Sequence, residues 1–347
     1  MNRTAQINIA GDVAVSKPRA EQRQLMVIVN PVAGCVARHK ADVQVFALAS
    51  ELGYEVDLRH TRRAGDATDF ARQAVDACYY GVIAVGGGGT VNEVARGLCG
   101  SRVAMGIVPL GSGNGLARHL GLPLTVSGAM KAIGEDRVIE GDYGSANGRP
   151  FFCTFGMGFD AAVTDRFEHL PTRGLKTYLR SALDEILKFK SERYTIIANG
   201  RTITEDAMLV AVCNASQYGN NAFIAPRASI KDGLLDVTII HKGNLVEQAL
   251  VGIDMLSGNI DNNAKVSAFR ARRLTILRSG EGAAHYDGEA ARIGERVEIE
   301  CHPGQLRLFA TARKHRLRAI VSPQIPFVSS FLLLLRDIRF RIYNLFH

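Results

Sequence analysis

Three glycine-rich segments carry the residue types that bind phosphate, and each follows a run of apolar residues. They read Asn30-Pro31-Val32-Ala33-Gly34, Gly86-Gly87-Gly88-Gly89-Thr90 and Pro109-Leu110-Gly111-Ser112-Gly113-Asn114-Gly115. Glycine lets backbone N–H groups approach an anion, and a helix that follows adds the positive end of its dipole. Four consecutive glycines carry an entropy cost that a bound phosphate would offset. The segments predict a phosphate site, against the alternative of tight strand-to-helix turns, which the first segment alone favours.

The second segment leads into a predicted helix. Thr90 and Glu93 have the spacing of a capping box, so we expect them to cap this helix together. The glycine spacing is neither the Walker type, which ends in Gly-Lys-Ser/Thr, nor a regular Gly-x-Gly-x-x-Gly. Loops after parallel strands meet at one edge of a sheet, so the second and third segments should converge on one crevice. That convergence is stronger evidence for a nucleotide site than either loop alone.

A different chemistry is offered by His285-Tyr286-Asp287-Gly288-Glu289, far along the chain. Two carboxylates around a glycine could supply a general base and a metal-linked carboxylate. The alternative is an ordinary hairpin turn, which this segment alone favours.

The composition is that of a globular protein with an anionic partner. The chain has 347 residues, of which 47% are hydrophobic and 22% charged, and its net charge is +8. This length suits two domains, and the positive charge favours phosphate, nucleotide, nucleic acid or a membrane surface. Nucleic acid is not expected, because no recognition motif combines aromatic and basic residues. The six cysteines are scattered without metal-ligand spacing, which indicates reduced thiols in the cytosol.

Apolar runs alternate with helical patterns up to about residue 140, which predicts an α/β domain with a parallel sheet covered by helices. The predicted strands here are Leu25–Val29, Glu55–Arg59, Gly81–Val85 and Met105–Pro109, and the predicted helices are Val36–Leu52, Ala67–Cys78 and Val91–Leu98. Beyond Asp142, short strands separated by turn signals predict a largely antiparallel β domain. Its predicted strands are Phe151–Phe155, Tyr194–Ala198, Met208–Cys213, Leu235–Ile240, Arg273–Leu277, Arg296–Glu300 and Leu306–Ala310, with a helix at Leu175–Lys190.

Four motifs in this order resemble the diacylglycerol kinase catalytic family, in particular its bacterial YegS-like lipid kinases, which are related to sphingosine and ceramide kinases. They are Asn-Pro-x-x-Gly from Asn30, the glycine run continued by Thr90-Val91-Asn92-Glu93-Val94, Pro109 through Arg118, and Asp287-Gly288-Glu289. The resemblance runs from about Leu25 to Ala310 and includes Thr61, Gly219-Asn220-Asn221 and Asp232-Gly233-Leu234. It implies an α/β nucleotide domain of the phosphofructokinase and NAD kinase type at 25–145 and an antiparallel β-sandwich lipid-substrate domain at 146–312, with the active site between them.

The resemblance also implies an activity, the transfer of the ATP γ-phosphate to a lipid hydroxyl with Mg²⁺. By carry-over, Glu289 is the general base on the lipid hydroxyl with Asp287 beside it, and Asp232 with the backbone oxygen of Leu234 holds a Mg²⁺ ion. The residues expected at the nucleotide are Asn30, Gly34, Thr61, Gly86, Gly87, Gly88, Gly89, Thr90, Val91, Asn92, Glu93, Gly111, Ser112, Gly113 and Asn114. These roles agree with phosphoryl transfer in general, where positioning and charge neutralisation dominate and one base orients the nucleophile.

One position departs from the family. Its glycine loop reads Gly-Gly-Asp-Gly-Thr, and here Gly88 stands in the place of the aspartate. The backbone N–H is kept while a carboxylate is lost, so the catalytic burden shifts to Glu289 and Asp287, with Glu93 as a further candidate. The alternative is a catalytically silent regulator that binds nucleotide and lipid. A kinase of a soluble substrate, such as NAD kinase, is a third hypothesis, which the motifs around Asn220 and Asp232 disfavour.

Two further predictions concern the ends of the chain. Residues 1–24 are polar and are predicted to form a flexible leader without a signal core. Residues 313–347 combine basic side chains with an apolar stripe, which is typical of a helix on an anionic membrane surface, although a helix packed on the nucleotide domain is the alternative. No segment reaches the ~20 apolar residues of a membrane-spanning helix. We therefore expect a cytoplasmic, peripheral enzyme at the inner face of the membrane, and a homodimer remains open.

Overall fold

The computed structural model describes residues 23–33, 40–168 and 189–311. The helices are α1 (Ala41–Glu51), α2 (Asp66–Asp76), α3 (Gly88–Leu98), α4 (Gly115–His119), α5 (Val126–Gly134), α6 (Phe159–Glu168) and α7 (Leu245–Ser257). The strands are β1 (Gln24–Val29), β2 (Glu55–His60), β3 (Gly81–Gly86), β4 (Ala104–Pro109), β5 (Val138–Ala146), β6 (Arg149–Phe151), β7 (Thr154–Gly158), β8 (Glu192–Ala198), β9 (Arg201–Cys213), β10 (Leu235–His241), β11 (Val266–Ala271), β12 (Arg273–Leu277), β13 (Gly282–Tyr286), β14 (Glu289–Ile293) and β15 (Arg296–Phe309).

The first four strands form a parallel sheet in the order β2-β1-β3-β4. Every residue of β3 and of β4 is buried, which explains why both have unbroken apolar sequences rather than alternating ones. Helices α2 and α3 contribute to the core on one face of this sheet, and α1 and α5 contribute to the core on the other. The strand order reverses between β1 and β3, which is where open α/β sheets bind ligands.

The later strands are antiparallel and enclose a second core. β7 pairs with β9, β9 with β8, β8 with β12 and β12 with β15, and the hairpin of β13 and β14 joins at β7. Large side chains such as Phe151, Phe155 and Tyr194 are fully buried in this core. β10 and β11 extend the sheet from β9, and Val251 of α7 lies in a further apolar cluster with Leu209 and Ile240.

Strand β15 connects the two parts of the molecule. It pairs antiparallel with β5 and β12, and its Leu308 pairs in parallel with Met105 of β4. A register shift between His302 and Leu306 interrupts the pairing with β5. There the Gly304 N–H donates to the buried carboxylate of Asp142 (2.8 Å). The α/β part and the β-sandwich part therefore share one continuous sheet.

The predicted architecture, an α/β part followed by a mainly antiparallel β part, is confirmed. One strand prediction was wrong: Phe151–Phe155 is divided between β6 and β7. The N–H groups of Phe152, Cys153 and Thr154 donate to the carboxylate of Asp287, so the chain turns between the two strands.

A second strand prediction was also wrong in detail. Arg296–Glu300 and Leu306–Ala310 belong to one strand, β15, because pairing with β5 resumes after the register shift. The sequence patterns also missed the strands β5, β11, β13 and β14 and the helices α4, α5, α6 and α7. Within residues 23–33, 40–168 and 189–311, no helix is long and apolar enough to cross a bilayer.

Some predictions lie outside the described residues. They are the leader up to residue 22, Gly34, the start of the helix predicted at Val36–Leu52, the helix predicted at Leu175–Lys190 for most of its length, and the tail from residue 312.

Candidate functional site

The second glycine segment forms the start of helix α3. Gly87 is the N-cap residue in an extended conformation, and no side chain caps the helix. The first hydrogen bond of the helix runs from the Val91 N–H to the Gly87 carbonyl (3.1 Å), so the N–H groups of Gly88, Gly89 and Thr90 lie at its open end. An added Cβ would meet nothing within 4 Å at Gly88 or Gly89. This end of α3 offers donors, a favourable dipole and space for an anion.

The predicted capping box of Thr90 and Glu93 was wrong. Gly88 and Gly89 are themselves helical, so α3 starts two residues before Thr90. Glu93 instead accepts a hydrogen bond from the Ala67 N–H (3.2 Å) in the first turn of α2, and its carbonyl accepts one from the Thr68 hydroxyl (2.9 Å). Glu93 therefore joins two helices, and Val91 and Asn92 lie buried beside it.

Asn30 ties the loop after β1 to the loop after β3. Its side-chain amide donates to the Thr90 hydroxyl (3.1 Å), and its amide oxygen accepts from the Val32 N–H (3.0 Å). Thr61 follows β2 on the other side of β1, where its N–H donates to the Val29 carbonyl (3.0 Å). Asn30 and Thr61 thus directly follow β1 and β2 at the carboxyl edge of the sheet, and Thr90 lies in the first turn of α3, after β3.

The third glycine segment packs directly against the second. The Leu110 N–H donates to the Gly86 carbonyl (2.8 Å), and a Cβ on Gly111 would stand 2.7 Å from the Cα of Gly87. Asn114 has a left-handed backbone (φ 51°), and its side-chain amide donates to the Gly111 carbonyl (2.8 Å). Ser112 is exposed at the tip of this loop. The predicted convergence of the two loops is confirmed.

Helix α4 then connects this loop to the sandwich part. The Arg118 guanidinium donates to the Gly113 carbonyl (3.0 Å) and to the Asn221 side chain (3.3 Å). His119 accepts a hydrogen bond from the Ser216 N–H at Nδ1 (3.1 Å), and its burial lowers the pKa of the imidazole to about 4. Neither side chain is a free surface cation.

The hairpin turn between β13 and β14 is built by Asp287. Asp287 and Gly288 both have positive φ (53° and 84°), as a two-residue hairpin loop requires. The Asp287 carboxylate accepts hydrogen bonds from the N–H groups of Phe152 (2.8 Å), Cys153 (2.6 Å) and Thr154 (2.8 Å). Burial raises the pKa of this carboxyl, and the three donors oppose that rise. Asp287 therefore holds the hairpin against the turn between β6 and β7.

Glu289, two residues later, faces helix α3. Its Oε2 atom pairs with Arg149 (2.7 Å) and with Arg96 of α3 (3.6 Å), and 36% of its side chain is exposed. The Arg149 guanidinium lies over the ring of Tyr286, 4.3 Å from its centre. Sequence reasoning missed both arginines, because no local pattern marks a pairing across so many residues. They connect the hairpin to the helix whose first turn is the glycine loop.

Asp232 and Leu234 lie apart from this cleft, in the loop before β10. The Asp232 carboxylate accepts from the Leu234 N–H (3.2 Å), and its other oxygen is 3.7 Å from Arg270. Arg270 also pairs with Asp236 (3.1 Å), one oxygen of which is buried without a partner among the described residues. That part of the chain brings no three His, Cys, Asp or Glu side chains together as a metal cluster. Mg²⁺ is commonly held by one or two carboxylates with water in the remaining positions, and Asp232 offers one such carboxylate.

Comparison with known proteins agrees with this geometry. The family described as "Diacylglycerol kinase catalytic domain" matches residues 24–146, and the "YegS C-terminal NAD kinase beta sandwich-like domain" matches residues 154–310. A "Diacylglycerol kinase" of Bacillus subtilis is 30% identical over 294 residues, 81% of this chain and 95% of that protein. A "Probable lipid kinase YegS-like" protein of Pseudomonas aeruginosa is 30% identical over 78% of this chain and 90% of its own length.

Among solved structures, a diacylglycerol kinase of Bacillus anthracis has the same fold. It superposes with a TM-score of 0.69 at 21% identity, over 85% of this chain and 99% of that chain. The chain therefore belongs to the diacylglycerol kinase catalytic family, in its YegS-like branch of lipid kinases, and is a phosphotransferase.

Proposed function

We propose that this lipid kinase transfers the γ-phosphate of ATP, bound with Mg²⁺, to the hydroxyl of a diacylglycerol or of a sphingoid or ceramide-type lipid. The observation that carries the proposal is the contact between Gly87 and Gly111 at the open end of α3. It places two glycine loops and a helix N-terminus at one point, which suits a chain of phosphates. The Glu289 hairpin faces the same helix through Arg96.

On the nucleotide side, the binding groups are mainly backbone N–H donors. Gly88 and Gly89 supply donors without side chains, and Asn30 fixes Thr90 rather than reaching outward. Thr61 follows β2 and Ser112 lies in the loop after β4, on either side of the loops after β1 and β3, so we assign them to different parts of one bound nucleotide. Mg²⁺ bound to the phosphates would supply charge neutralisation during transfer. Asp232 and the Leu234 carbonyl remain our proposed site for a second, structural Mg²⁺.

On the acceptor side, Glu289 is the proposed general base. Both arginines pair with Oε2, so we assign Oε1 to the lipid hydroxyl. Asp287 and Glu93 are less suited, because backbone N–H groups already occupy their carboxylates. Arg96 and Arg149 fix the base and place positive charge where the transferred phosphate passes.

The proposal includes where the enzyme works. Its substrate resides in a membrane, so we propose a cytoplasmic protein that binds the inner face peripherally. The basic, apolar tail from residue 313 is the candidate contact.

One experiment tests the reaction. The purified protein is incubated with labelled ATP, Mg²⁺ and separate vesicles that contain diacylglycerol, ceramide or sphingosine, with NAD as a soluble acceptor. We expect label in a lipid product and none in NAD. Label in NAD alone would contradict the lipid assignment. ATP binding without transfer to any acceptor would support the silent regulator that Gly88 suggests.

A further inference from the structure

A hydrogen-bonded triad of two buried side chains and a half-buried tyrosine lies behind the Glu289 hairpin. His285 Nε2 is 2.9 Å from Asp160 Oδ2, and the Tyr218 hydroxyl donates to the same oxygen (2.8 Å). His285 and Asp160 are 2% and 5% exposed. Their neighbour Gly156 leaves room for the pair, because a Cβ there would stand 2.1 Å from the Asp160 carboxylate and 2.3 Å from the His285 ring.

The hydrogen bonds fix the tautomer of His285. The Gly288 N–H can only donate, and it points to Nδ1 (3.3 Å), so Nδ1 is the acceptor and carries no proton. The proton is then on Nε2, which donates to Asp160. The other oxygen of Asp160 accepts from the Ala161 N–H at the start of α6 (2.8 Å). His285 therefore connects the turn before Glu289 to an anchored carboxylate.

The third member of the triad extends this connection to the nucleotide loop. Tyr218 begins a short loop whose Asn220 N–H donates to the Gly113 carbonyl (3.2 Å). A Cβ on Gly115 would be 3.2 Å from the Tyr218 carbonyl oxygen, and one on Gly219 would be 2.9 Å from the Gly113 backbone. The two backbones are thus packed together without intervening side chains. An unbroken series of contacts runs from Gly113 through Tyr218, Asp160 and His285 to Gly288.

We propose that His285, Asp160 and Tyr218 are positioning residues that couple nucleotide binding at the glycine loops to the orientation of the Glu289 turn. This inference rests on the proposed function, in which the loops hold ATP and Glu289 is the base. Arg96 connects α3 to Glu289 directly, and the triad supplies a second connection, from the third glycine segment to the turn before Glu289. If the triad were only structural, it would stabilise the fold, and nucleotide binding would not change the turn before Glu289.

Tyr218→Phe is the sharpest variant, because it removes one hydroxyl and keeps the ring. Tyr194→Phe is its matched control: the Tyr194 hydroxyl also donates to a carboxylate, that of Glu192 (2.9 Å), which is not a member of the triad. Two substitutions of His285 test its two ring nitrogens separately. Asn can replace Nδ1 as the acceptor for Gly288, whereas Gln can replace Nε2–H as the donor to Asp160.

The first readout is kinetic. We expect Tyr218→Phe to lower kcat on lipid vesicles about tenfold and to change the Kd for ATP by less than about threefold, as the loss of one buried hydrogen bond in positioning allows. His285→Asn and His285→Gln should both lower kcat, because each breaks one link. Tyr194→Phe should keep kcat even where its melting temperature falls as far as that of Tyr218→Phe. Equal kcat values for the two tyrosine variants would overturn the proposal.

The second readout needs no turnover, so it separates this inference from the proposed reaction. Hydrogen exchange of the 283–291 peptide is measured with and without ATP and Mg²⁺. We expect ATP to slow exchange in the wild type and in Tyr194→Phe, and to lose that effect in Tyr218→Phe. Protection that persists in Tyr218→Phe, or its absence in the wild type, would contradict the coupling. A wild type that protects the peptide but phosphorylates no lipid would refute the reaction alone.

Discussion

The two sides of the cleft are built in opposite ways. The proposed nucleotide side is made of backbone, with Gly88 and Gly89 in open space at the start of α3. The proposed acceptor side is made of side chains, where Asp287 accepts three N–H groups and Glu289 is held by two arginines. A backbone site keeps its donors when a side chain changes, whereas a carboxylate site depends on each residue. If our proposal is right, the chain can therefore lack a carboxylate at position 88 and still keep the backbone donors of a phosphate site.

The largest effect should separate stability from catalysis on the acceptor side. Asp287→Asn keeps the shape and tolerates the left-handed backbone, but leaves buried N–H groups without a charged acceptor. We expect the free energy of unfolding to fall by about 3 kcal/mol, measured by urea denaturation. Glu289→Gln is the matched comparison and should change it by less than about 1 kcal/mol, because its ion pairs are partly exposed. Equal losses would show that both residues are structural.

The next effect tests the backbone side. Gly111→Ala places a Cβ 2.7 Å from the Gly87 Cα, and neither backbone can move away cheaply. We expect ATP binding to weaken about tenfold or more, as strain of ~2 kcal/mol in a close-packed site implies. Gly294→Ala, between β14 and β15 and outside the glycine loops, is the control, since its Cβ would meet nothing within 4 Å, and calorimetric titration should show ATP binding close to that of the wild type. Similar weakening in both variants would mean that the loop contact does not form the site.

A smaller, pH-dependent effect concerns His119 of helix α4, which connects the third glycine segment to the sandwich part. His119 is neutral in the fold, and its folded pKa of about 4 is below the ordinary value of 6.5. Its stabilising contribution is therefore complete above pH 6.5 and is lost as the pH falls toward 4. We expect a loss of about 2 kcal/mol over this range, less in His119→Asn, which keeps an acceptor for the Ser216 N–H without titrating. Identical pH curves for the two proteins would contradict this role.

The smallest effect should come from restoring the carboxylate. Gly88→Asp should be tolerated, because none of Gly86 to Gly89 has a positive φ and position 88 opens into space. We expect its melting temperature to stay within a few degrees of the wild type and its kcat to rise by no more than about tenfold, since Glu289 already supplies a base. An inactive wild type that Gly88→Asp activates would instead identify the natural chain as a regulator.

Local sequence patterns predicted the features that depend on neighbouring residues, namely the buried strands and the hairpin turn. The strands of the parallel sheet have apolar sequences because they are buried on both faces, and the Asp287-Gly288 pair is a typical hairpin turn. The capping box failed because the pattern cannot tell whether Gly88 and Gly89 belong to the loop or to the helix. Glu93 found its partner on α2 instead.

The roles of the site residues depend on contacts that no local pattern contains. Asp287 meets the N–H groups of Phe152 to Thr154, which lie more than 130 residues earlier in the chain. Arg96 is still farther from Glu289 along the chain, and the two side chains meet only in the folded molecule. The sequence could name Asp287 and Glu289 as a pair. The fold distinguishes the carboxylate that is occupied by backbone from the one that faces the cleft.

The most direct test of this division is a paired measurement on Glu289→Gln, its lipid phosphorylation rate and its affinity for ATP. The account predicts a fall in kcat of about 10²–10⁴ with an ATP Kd close to that of the wild type, because the lost group is a base and not a phosphate ligand. Full turnover in Glu289→Gln, or a kcat that falls only through lost ATP binding, would contradict it.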